Sequence, residues 1–243
     1  MAKNMSPTEK WRTEYRHKSS MDFNRDASEI TIHNFRSFQF SDKNDYTWHT
    51  RNYNLDQLQS VDLIQSHWSG KMIAHVFLSF GFSNGDYVSF SIETRRKSHQ
   101  QFSVWKGFFY NYDIIYVVAD EQDLIGTRVN LRNEQVYIFP LNLDKALITE
   151  FFINYMSKIN ALKENDEKYH SMWNNCTTSI YKIAQKTYPD FKFNWKLLVS
   201  GYASQYCHQL GFIEDKDYFN KQQIPIIPSI DETFSHQIRR ELG

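Results

Sequence analysis

Two apolar stretches joined by a short polar turn constrain the fold of this chain most. Residues 72–82 and 86–95 each alternate apolar with polar side chains, which is typical of half-buried β-strands. Ser83-Asn84-Gly85 lies between them and predicts a β-hairpin. A two-residue turn would pair Ser83 with Asp86, whereas a three-residue loop with a left-handed Gly85 would pair Phe82 with Asp86. Only the second register puts the apolar residues of both strands on one face, because a one-residue slip reverses every side chain.

This register has a chemical consequence at the open end of the hairpin. It places His75 directly opposite Glu93, and cross-strand partners have Cβ atoms about 5 Å apart. A carboxylate at that distance can accept a ring proton, fix the histidine tautomer and leave the other nitrogen to act as a base. Ser91 and Arg95 share the face and are candidate supporting residues. The alternative interpretation is an ordinary surface salt bridge.

A second candidate group lies a hundred residues further on, in the stretch WNNCTTSIYKIAQK. Cys176 follows Asn174 and Asn175 and precedes Thr177, at the predicted start of a helix. The free N–H groups of a helix start favour a thiolate and can form part of an oxyanion hole. A thiol at a helix start and a strand imidazole are the two parts of a cysteine nucleophile site. The alternative is a core histidine and a buried helix cysteine. Cys207 lies inside a helical pattern, and we expect it in the core.

The order of the remaining patterns predicts an α+β fold, because strands cluster early and helices late. We expect an antiparallel sheet that packs against the helix bearing Cys176. Further strands are predicted at 29–40, 113–121 and 135–141, and residues 50–68 mix turn and strand signals. Helices are predicted from Asn142 or Asp144 to about Lys163, at 176–187, at 195–210 with Gly211 as the C′ residue, and in a last turn near the C-terminus.

Two segments allow more than one interpretation. Arg128 and Arg132 fall between predicted strands, where charge pairing with nearby Asp120, Glu121 and Asp123 is the simplest expectation. Residues 95–112 look irregular and rich in aromatic side chains, which either belong to the core or line a groove for an acyl chain. The aromatic residues in question are Phe102, Trp105, Phe108, Phe109 and Tyr110.

Composition excludes several functional classes. Lys plus Arg is 28 and Asp plus Glu is 28 in a chain of 243 residues, so no basic surface for nucleic acid is expected. No apolar run approaches a membrane span, and the first residues lack the core of a signal peptide. No ligand pair typical of a metal site and no glycine-rich phosphate loop occurs, so we expect neither metal nor cofactor. Residues 1–30 are predicted to be an N-terminal arm, and 31–243 a single catalytic domain.

With these residues identified, the chain resembles the Lnb N-terminal periplasmic domain family. The most specific matching stretches are IAHVFLSFGFSNGDYVSFSIETRR and INALKENDEKYHSMWNNCTTSI, supported by IHNFRSF, YNLDQLQSVDLIQSHW, IIYVVADEQDLIGTRVNLR and the terminal FSHQIRREL. Together they span about residues 32–242.

The resemblance implies a circularly permuted papain-like (NlpC-like) core, in which the histidine strand precedes the cysteine helix. It also implies N-acylation of bacterial lipoproteins in the periplasm, with a phospholipid acyl donor and a lipoprotein acceptor. Cys176 would be the nucleophile and His75 its base, whereas the role of Glu93 follows from the hairpin register alone. The alternatives are a cysteine peptidase or amidase acting on cell-wall peptides, and a catalytically silent binding module.

Overall fold

The predicted α+β class is confirmed by the computed structural model, which describes residues 11–24, 28–39, 45–100, 112–221, 223–227 and 233–240. Its centre is a mostly antiparallel sheet of eight strands in the order β1-β2-β7-β6-β5-β4-β8, with β3 on the other edge of β2. The strands are β1 (Ser20–Phe23), β2 (Glu29–Gln39), β3 (Asp45–Asn54), β4 (Leu58–Ser69), β5 (Ile73–Phe82), β6 (Tyr87–Arg95), β7 (Asp113–Ala119) and β8 (Gln135–Pro140).

Helices cover both faces of the sheet. They are α1 (Lys145–Glu164), α2 (Cys176–Thr187), α3 (Ala203–Gln209), α4 (Asp215–Phe219) and α5 (Phe234–Arg240), together with a π-helix at Gln122–Leu131. Single 3₁₀ turns lie at Thr13–Tyr15, Leu55–Gln57, Trp195–Leu197 and Ser200–Tyr202.

The register of the β5–β6 hairpin is the one that the apolar pattern predicts. Leu78 pairs with Phe90 and Phe80 with Val88. Phe82 N–H donates to Asp86 O at 2.9 Å, and Gly85 has a φ of 92°. Glycine takes this left-handed conformation at little steric cost, so the three-residue loop is favoured over the two-residue turn.

The two faces of the hairpin meet different partners. The apolar face packs on α1, where the Phe80 and Phe90 rings lie 5.0 and 5.3 Å from the ring of Phe152. The opposite face carries Phe77, which is fully buried in a second core formed with the π-helix and α5. His75 and Glu93 belong to this second face, close to its edge.

One segment differs from the sequence-based expectations, and two others are now assigned. Residues 50–68, predicted to mix turn and strand signals, contain the second half of β3, the turn at Leu55–Gln57 and most of β4. Residues 122–131, for which no element was predicted, form the π-helix. The predicted helix at 195–210 is helical only from Ala203, because tertiary hydrogen bonds hold the preceding turns to β5. Gly201 N–H donates to Met72 O at 2.9 Å, and Ser200 Oγ accepts the Ala74 N–H at 3.0 Å.

The described part of the N-terminal segment adds an edge strand and a core residue. β1 pairs with β2 from Ser20↔His33 to Phe23↔Ile30, and Tyr15 is buried. The division into an arm at 1–30 and a catalytic domain at 31–243 stays a prediction. The aromatic residues considered above for an acyl groove, from Phe102 to Tyr110, lie outside the described residues.

Candidate active site

The candidate site lies where two neighbouring strands part. Between residues 73 and 95, all of them described, β5 pairs with β6 only over Leu78–Gly81. Beyond this point β5 remains paired with β4, and β6 with β7. In the gap, the backbone N–H of Val76 lies near the sulfur of Cys176 and lowers the pKa of the thiol. The parting of the strands therefore leaves a backbone donor available to the thiol.

Local capping positions Cys176 at the first residue of α2. Asn175 is the N-cap, and its Oδ1 accepts the Thr178 N–H at 2.9 Å. Thr178 Oγ1 in turn accepts the Asn175 N–H at 3.0 Å, which completes a capping box. Thr177 Oγ1 lies 3.8 Å from the Cys176 sulfur. The cap fixes the entry angle of the chain, so the thiol faces β5 at the positive end of the helix dipole.

His75 is held from the side opposite the thiol. Its Nε2 lies 2.7 Å from Ser91 Oγ and 3.3 Å from Glu93 Oε1, and Ser91 Oγ donates to Glu93 Oε1 at 2.8 Å. The predicted contact between His75 and Glu93 is therefore confirmed, and Ser91 bridges the pair. His75 also lies beside Cys176, and the interaction between the two raises the pKa of the imidazole.

Arg128 is a member of the site that the sequence did not reveal. Its Nη2 donates to Glu93 Oε1 at 2.7 Å, and its guanidinium lies 5.0 Å from the centre of the Phe77 ring. The side chain is 4% exposed. Arg128 reaches the site because the π-helix carries it beneath the sheet, and π-helical turns often occur at functional sites.

The expected partners of Arg128 bind other arginines, so that prediction was wrong. Asp123 accepts two hydrogen bonds from Arg36, at 2.8 Å each. Glu121 pairs with Arg239, and Asp120 lies 3.2 Å from Arg51. Arg132 lies 3.8 Å from Glu134. Sequence proximity was misleading here because the π-helix turns Arg128 away from the acidic residues that precede it.

The charges of the site favour an ion pair between the thiol and the imidazole. Burial lowers the pKa of His75, but the negative charge of Glu93 and the hydrogen bonds to Cys176 and Glu93 outweigh it and raise the pKa to about 9. Burial raises the pKa of Cys176, but the hydrogen bond and charge of His75, with smaller contributions from Val76 and Thr177, lower it overall. At neutral pH these directions favour thiolate and imidazolium.

The negative charge of the Glu93 carboxylate is stabilised by its neighbours. Burial alone would raise the pKa of Glu93, yet His75, Arg128 and Ser91 together hold it well below its usual range. Cys207 shows the opposite behaviour, because burial without a charged partner raises its pKa to about 12. The two cysteines of the chain are therefore chemically different.

Two predicted supporting residues lie outside this cluster. Asn174 Nδ2 donates to Lys168 O at 2.9 Å, and its Oδ1 accepts from Ser179 Oγ, so the side chain braces the loop before α2. The guanidinium of Arg95 donates to the backbone carbonyls of Tyr15 and Arg16, at 3.1 and 3.0 Å. Asn175 borders the site, but its amide is engaged in the cap and in a hydrogen bond to Ser171 O. Of this group, Thr177 and Ser91 have contacts with the reactive pair.

A groove of about 1000 Å³ exposes the cluster to solvent. It is lined by Cys176, His75, Glu93 and Arg128, and by Tyr169 from the loop before α2. Burial and the nearby charges of Cys176 and Glu93 raise the pKa of Tyr169, so it stays a neutral hydroxyl beside the thiol. Tyr169 lies in a polar loop, and no sequence pattern indicated that its side chain lines the groove.

A second, smaller cavity lies behind α2. It measures about 70 Å³ and is lined mainly by apolar side chains, including Val76, Ile180, Ala184 and Phe212. Thr177 and Val76, the chain neighbours of Cys176 and His75, border it. In the described ranges, no group of three or more His, Cys, Asp or Glu side chains is arranged to hold a metal ion.

Comparison with protein families identifies the family to which the chain belongs. The family model described as the Lnb N-terminal periplasmic domain matches residues 44–204, which include His75, Glu93, Arg128 and Cys176. The chain belongs to this family. Comparison with curated proteins and with solved structures gives no match.

Membership confirms the family that the sequence motifs indicated. The description of the Lnb N-terminal domain as periplasmic agrees with the predicted compartment. None of the helices built from the described residues is long and apolar enough to cross a membrane.

Proposed function

We propose that this protein is a cysteine-dependent acyltransferase that carries the acyl group as a thioester on Cys176. The observation that carries the proposal is the chain of contacts from Cys176 through His75 and Ser91 to Glu93 and Arg128. A thiol with a lowered pKa, a base hydrogen-bonded to it and a carboxylate that orients the base are the parts required for nucleophilic catalysis. His75 precedes Cys176 in the chain, which supports a permuted papain-like arrangement.

The proposed reaction has two steps. In the first, the Cys176 thiolate attacks the ester carbonyl of the donor, a C–S bond forms, and the C–O bond breaks after collapse of the tetrahedral intermediate. The imidazolium of His75 gives its proton to the leaving alkoxide. In the second, an acceptor amine attacks the thioester and passes a proton to His75, so that a C–N bond forms and the thiolate returns.

The other residues of the site act on the reaction intermediates or through Cys176 and His75. Backbone N–H groups at the start of α2 are suitable donors for the oxyanion of each tetrahedral intermediate. Glu93 holds His75 in position through Ser91 and stabilises the imidazolium. Arg128 keeps Glu93 ionised and prevents the carboxylate from swinging away. General-base positioning of this kind is typically worth about 10²–10⁴ in rate.

The apolar cavity behind α2 favours an acyl group over a peptide in the first step. A cavity needs about 10–15 Å³ to hold one water, so a volume of about 70 Å³ leaves room for part of a hydrocarbon chain. Its lining is mainly apolar, which suits an acyl chain better than a polar peptide. Thr177 and Val76, the chain neighbours of Cys176 and His75, border it. A phospholipid as donor and a lipoprotein amine as acceptor, in the periplasm, are the substrates that family membership suggests.

A cysteine peptidase or amidase acting on cell-wall peptides is the second candidate. The observation in its favour is the breadth and polarity of the groove, which exposes both arginines and carboxylates to a bound substrate. It would share the first chemical step and use water as the final acceptor.

Intact-mass spectrometry tests the proposal. After incubation with phosphatidylethanolamine vesicles, the protein should gain the mass of one acyl chain, and peptide mapping should locate it on Cys176. Cys176→Ser should gain no hydroxylamine-labile adduct. Release of fragments from a cell-wall peptide without any acyl adduct would favour the peptidase. If Cys176→Ser kept wild-type turnover on both substrates, the site would be silent and the chain a binding module.

Chain-length dependence provides a sharper test of the donor. Ala184 lines the cavity, whereas the adjacent Gln185 is exposed on the same helix. Ala184→Leu should lower the rate of Cys176 acylation by a dodecanoyl ester about tenfold or more and leave acylation by an acetyl ester unchanged, because specificity of this size follows from one to two methylenes in a pocket. Gln185→Leu, the matched control, should change neither rate.

A further inference from the structure

Large apolar side chains are exposed at the mouth of the groove. Trp68, Met72 and Ile73 line it at the turn between β4 and β5. Their exposed fractions are 48%, 56% and 42%. Exposed single apolar residues are ordinary, but a cluster at the mouth of a site marks an interaction surface.

Two neighbouring segments extend this cluster. Trp195 begins the turn at Trp195–Leu197 and is 57% exposed. Shortly after this turn, the Gly201 N–H donates to Met72 O, which connects this segment to the first cluster. The loop before α2 adds Met172 and Trp173, which are 38% and 56% exposed. We call these six residues the groove rim: Trp68, Met72, Ile73, Met172, Trp173 and Trp195. Trp68, Met72 and Ile73 line the groove that contains Cys176. The other three lie within three residues of the lining residues Ser171, Asn175 and Leu198.

The charge of the groove complements the apolar rim. Among its described lining residues are five Lys and Arg side chains and three Glu side chains. Arg12, Arg128 and Arg132 pair with the three Glu side chains, Glu14, Glu93 and Glu134. The charges in excess are those of Arg96 and Lys71, and Lys71 lies at the tip of the rim beside Met72. The chain as a whole has a formal net charge of zero, so this local excess of positive charge belongs to the groove.

We propose that the groove rim docks on the surface of a lipid bilayer that contains anionic lipid. Trp and Met side chains insert readily at the boundary between headgroups and acyl chains, and Lys and Arg next to them bind anionic headgroups. Docking in this orientation presents the groove to the membrane. This inference rests on the proposed function, since it explains how a phospholipid ester reaches Cys176.

Vesicle sedimentation tests the docking surface on the full chain. The probes are phosphatidylethanolamine vesicles with and without phosphatidylglycerol. The wild-type protein should bind both, and bind more tightly when phosphatidylglycerol is present. Met72→Glu and Trp195→Glu should each lower the partition coefficient at least about tenfold, because each removes an inserted apolar side chain and adds a repelled charge. Thermal midpoints establish that the variants are folded.

Phe219→Glu is the matched control. Phe219 is 69% exposed, but it contacts Tyr218, which packs on Phe139 at the far end of β8 from the groove rim. This substitution should leave vesicle binding unchanged. Equal loss in Phe219→Glu and Met72→Glu would overturn the proposal, because binding would then reflect general hydrophobicity.

The outcomes separate docking from chemistry. Absence of vesicle binding by the folded wild type overturns the docking surface, whatever acylates Cys176. Vesicle binding that is unaffected by substitutions in the rim overturns it too, and leaves the rim for a protein partner. Rim-dependent binding without any acyl adduct on Cys176 supports docking and contradicts the proposed function. Cys176→Ser should bind vesicles as the wild type does.

Discussion

The strongest test of the site is a difference in reactivity between the two cysteines. A short pulse of iodoacetamide at pH 7 should alkylate Cys176 long before Cys207. The first thiol has a pKa lowered by His75 and lies in an open groove. The second has a pKa raised to about 12 by burial, and it borders the apolar cavity behind α2.

The minimum size of this difference follows from the fraction of thiolate. An ordinary thiol with a pKa of about 8.5 is roughly 3% ionised at pH 7, whereas a pKa of about 12 leaves roughly 10⁻⁵ as thiolate. The less acidic thiolate is intrinsically more nucleophilic, which recovers a factor of roughly 40. The ratio of alkylation rates should therefore be roughly 10² even if Cys176 behaved as an ordinary thiol, and larger with its lowered pKa.

Quenched time points followed by peptide mapping measure the two rates in the same sample. Cys176→Ser and Cys207→Ser each isolate one thiol and check the assignment of the peptides. In 6 M urea the two thiols should react at similar rates, because the difference depends on the fold. Equal rates in the native protein, or faster alkylation of Cys207, would refute the assignment of Cys176 as the reactive thiol and Cys207 as the inert one.

The other predictions concern the residues around this thiol. Arg128→Gln should lower the free energy of unfolding by about 2–4 kcal/mol, because it removes one of the two cations beside the buried carboxylate of Glu93, the other being His75. Arg132→Gln at an exposed position should change it by about 0.5 kcal/mol or less. Urea unfolding compares the two variants, and equal losses would contradict the buried pair. Because the pKa of His75 is raised to about 9 in the folded protein above about 6.5 when unfolded, its charge should stabilise the fold below pH 6.5, and this stabilisation should be lost as the pH rises through 9. Cys176 contributes part of this rise, so a Cys176→Ser background isolates the part that is due to Glu93. In this background the difference in unfolding free energy between the parent and His75→Gln should shrink over this range, by less than about 3 kcal/mol, the value that the full rise would give. A difference independent of pH would show that Glu93 does not raise the pKa of His75. Asn175→Ala should cost about 1–2 kcal/mol through loss of the N-cap and slow the alkylation of Cys176, and an unchanged alkylation rate would mean that the cap does not position the thiol.

Several parts of the site were predictable because they depend on local pattern. The period of two along β5 and β6, with Gly85 in the loop, was enough to bring His75 within reach of Glu93. The Asn-Cys-Thr-Thr sequence likewise predicted both the start of α2 and its cap. These features involve residues close in sequence or joined by one short loop, so propensity and register decide them before the rest of the chain folds.

Other parts appeared only in the tertiary structure. Arg128 pairs with Glu93 across 35 positions. It does so because the segment between β7 and β8 forms a π-helix, a conformation that has no simple sequence period. Residues 195–202 form two 3₁₀ turns instead of an α-helix. In this segment the Gly201 N–H donates to Met72 O, and Ser200 Oγ accepts the Ala74 N–H. Long-range hydrogen bonds and buried charges of this kind depend on which segments pack together. The sequence by itself therefore determined His75 and Cys176 as the candidate pair, with the strand and the helix that carry them. Only the folded chain determined which residues surround this pair and which charges lie next to it.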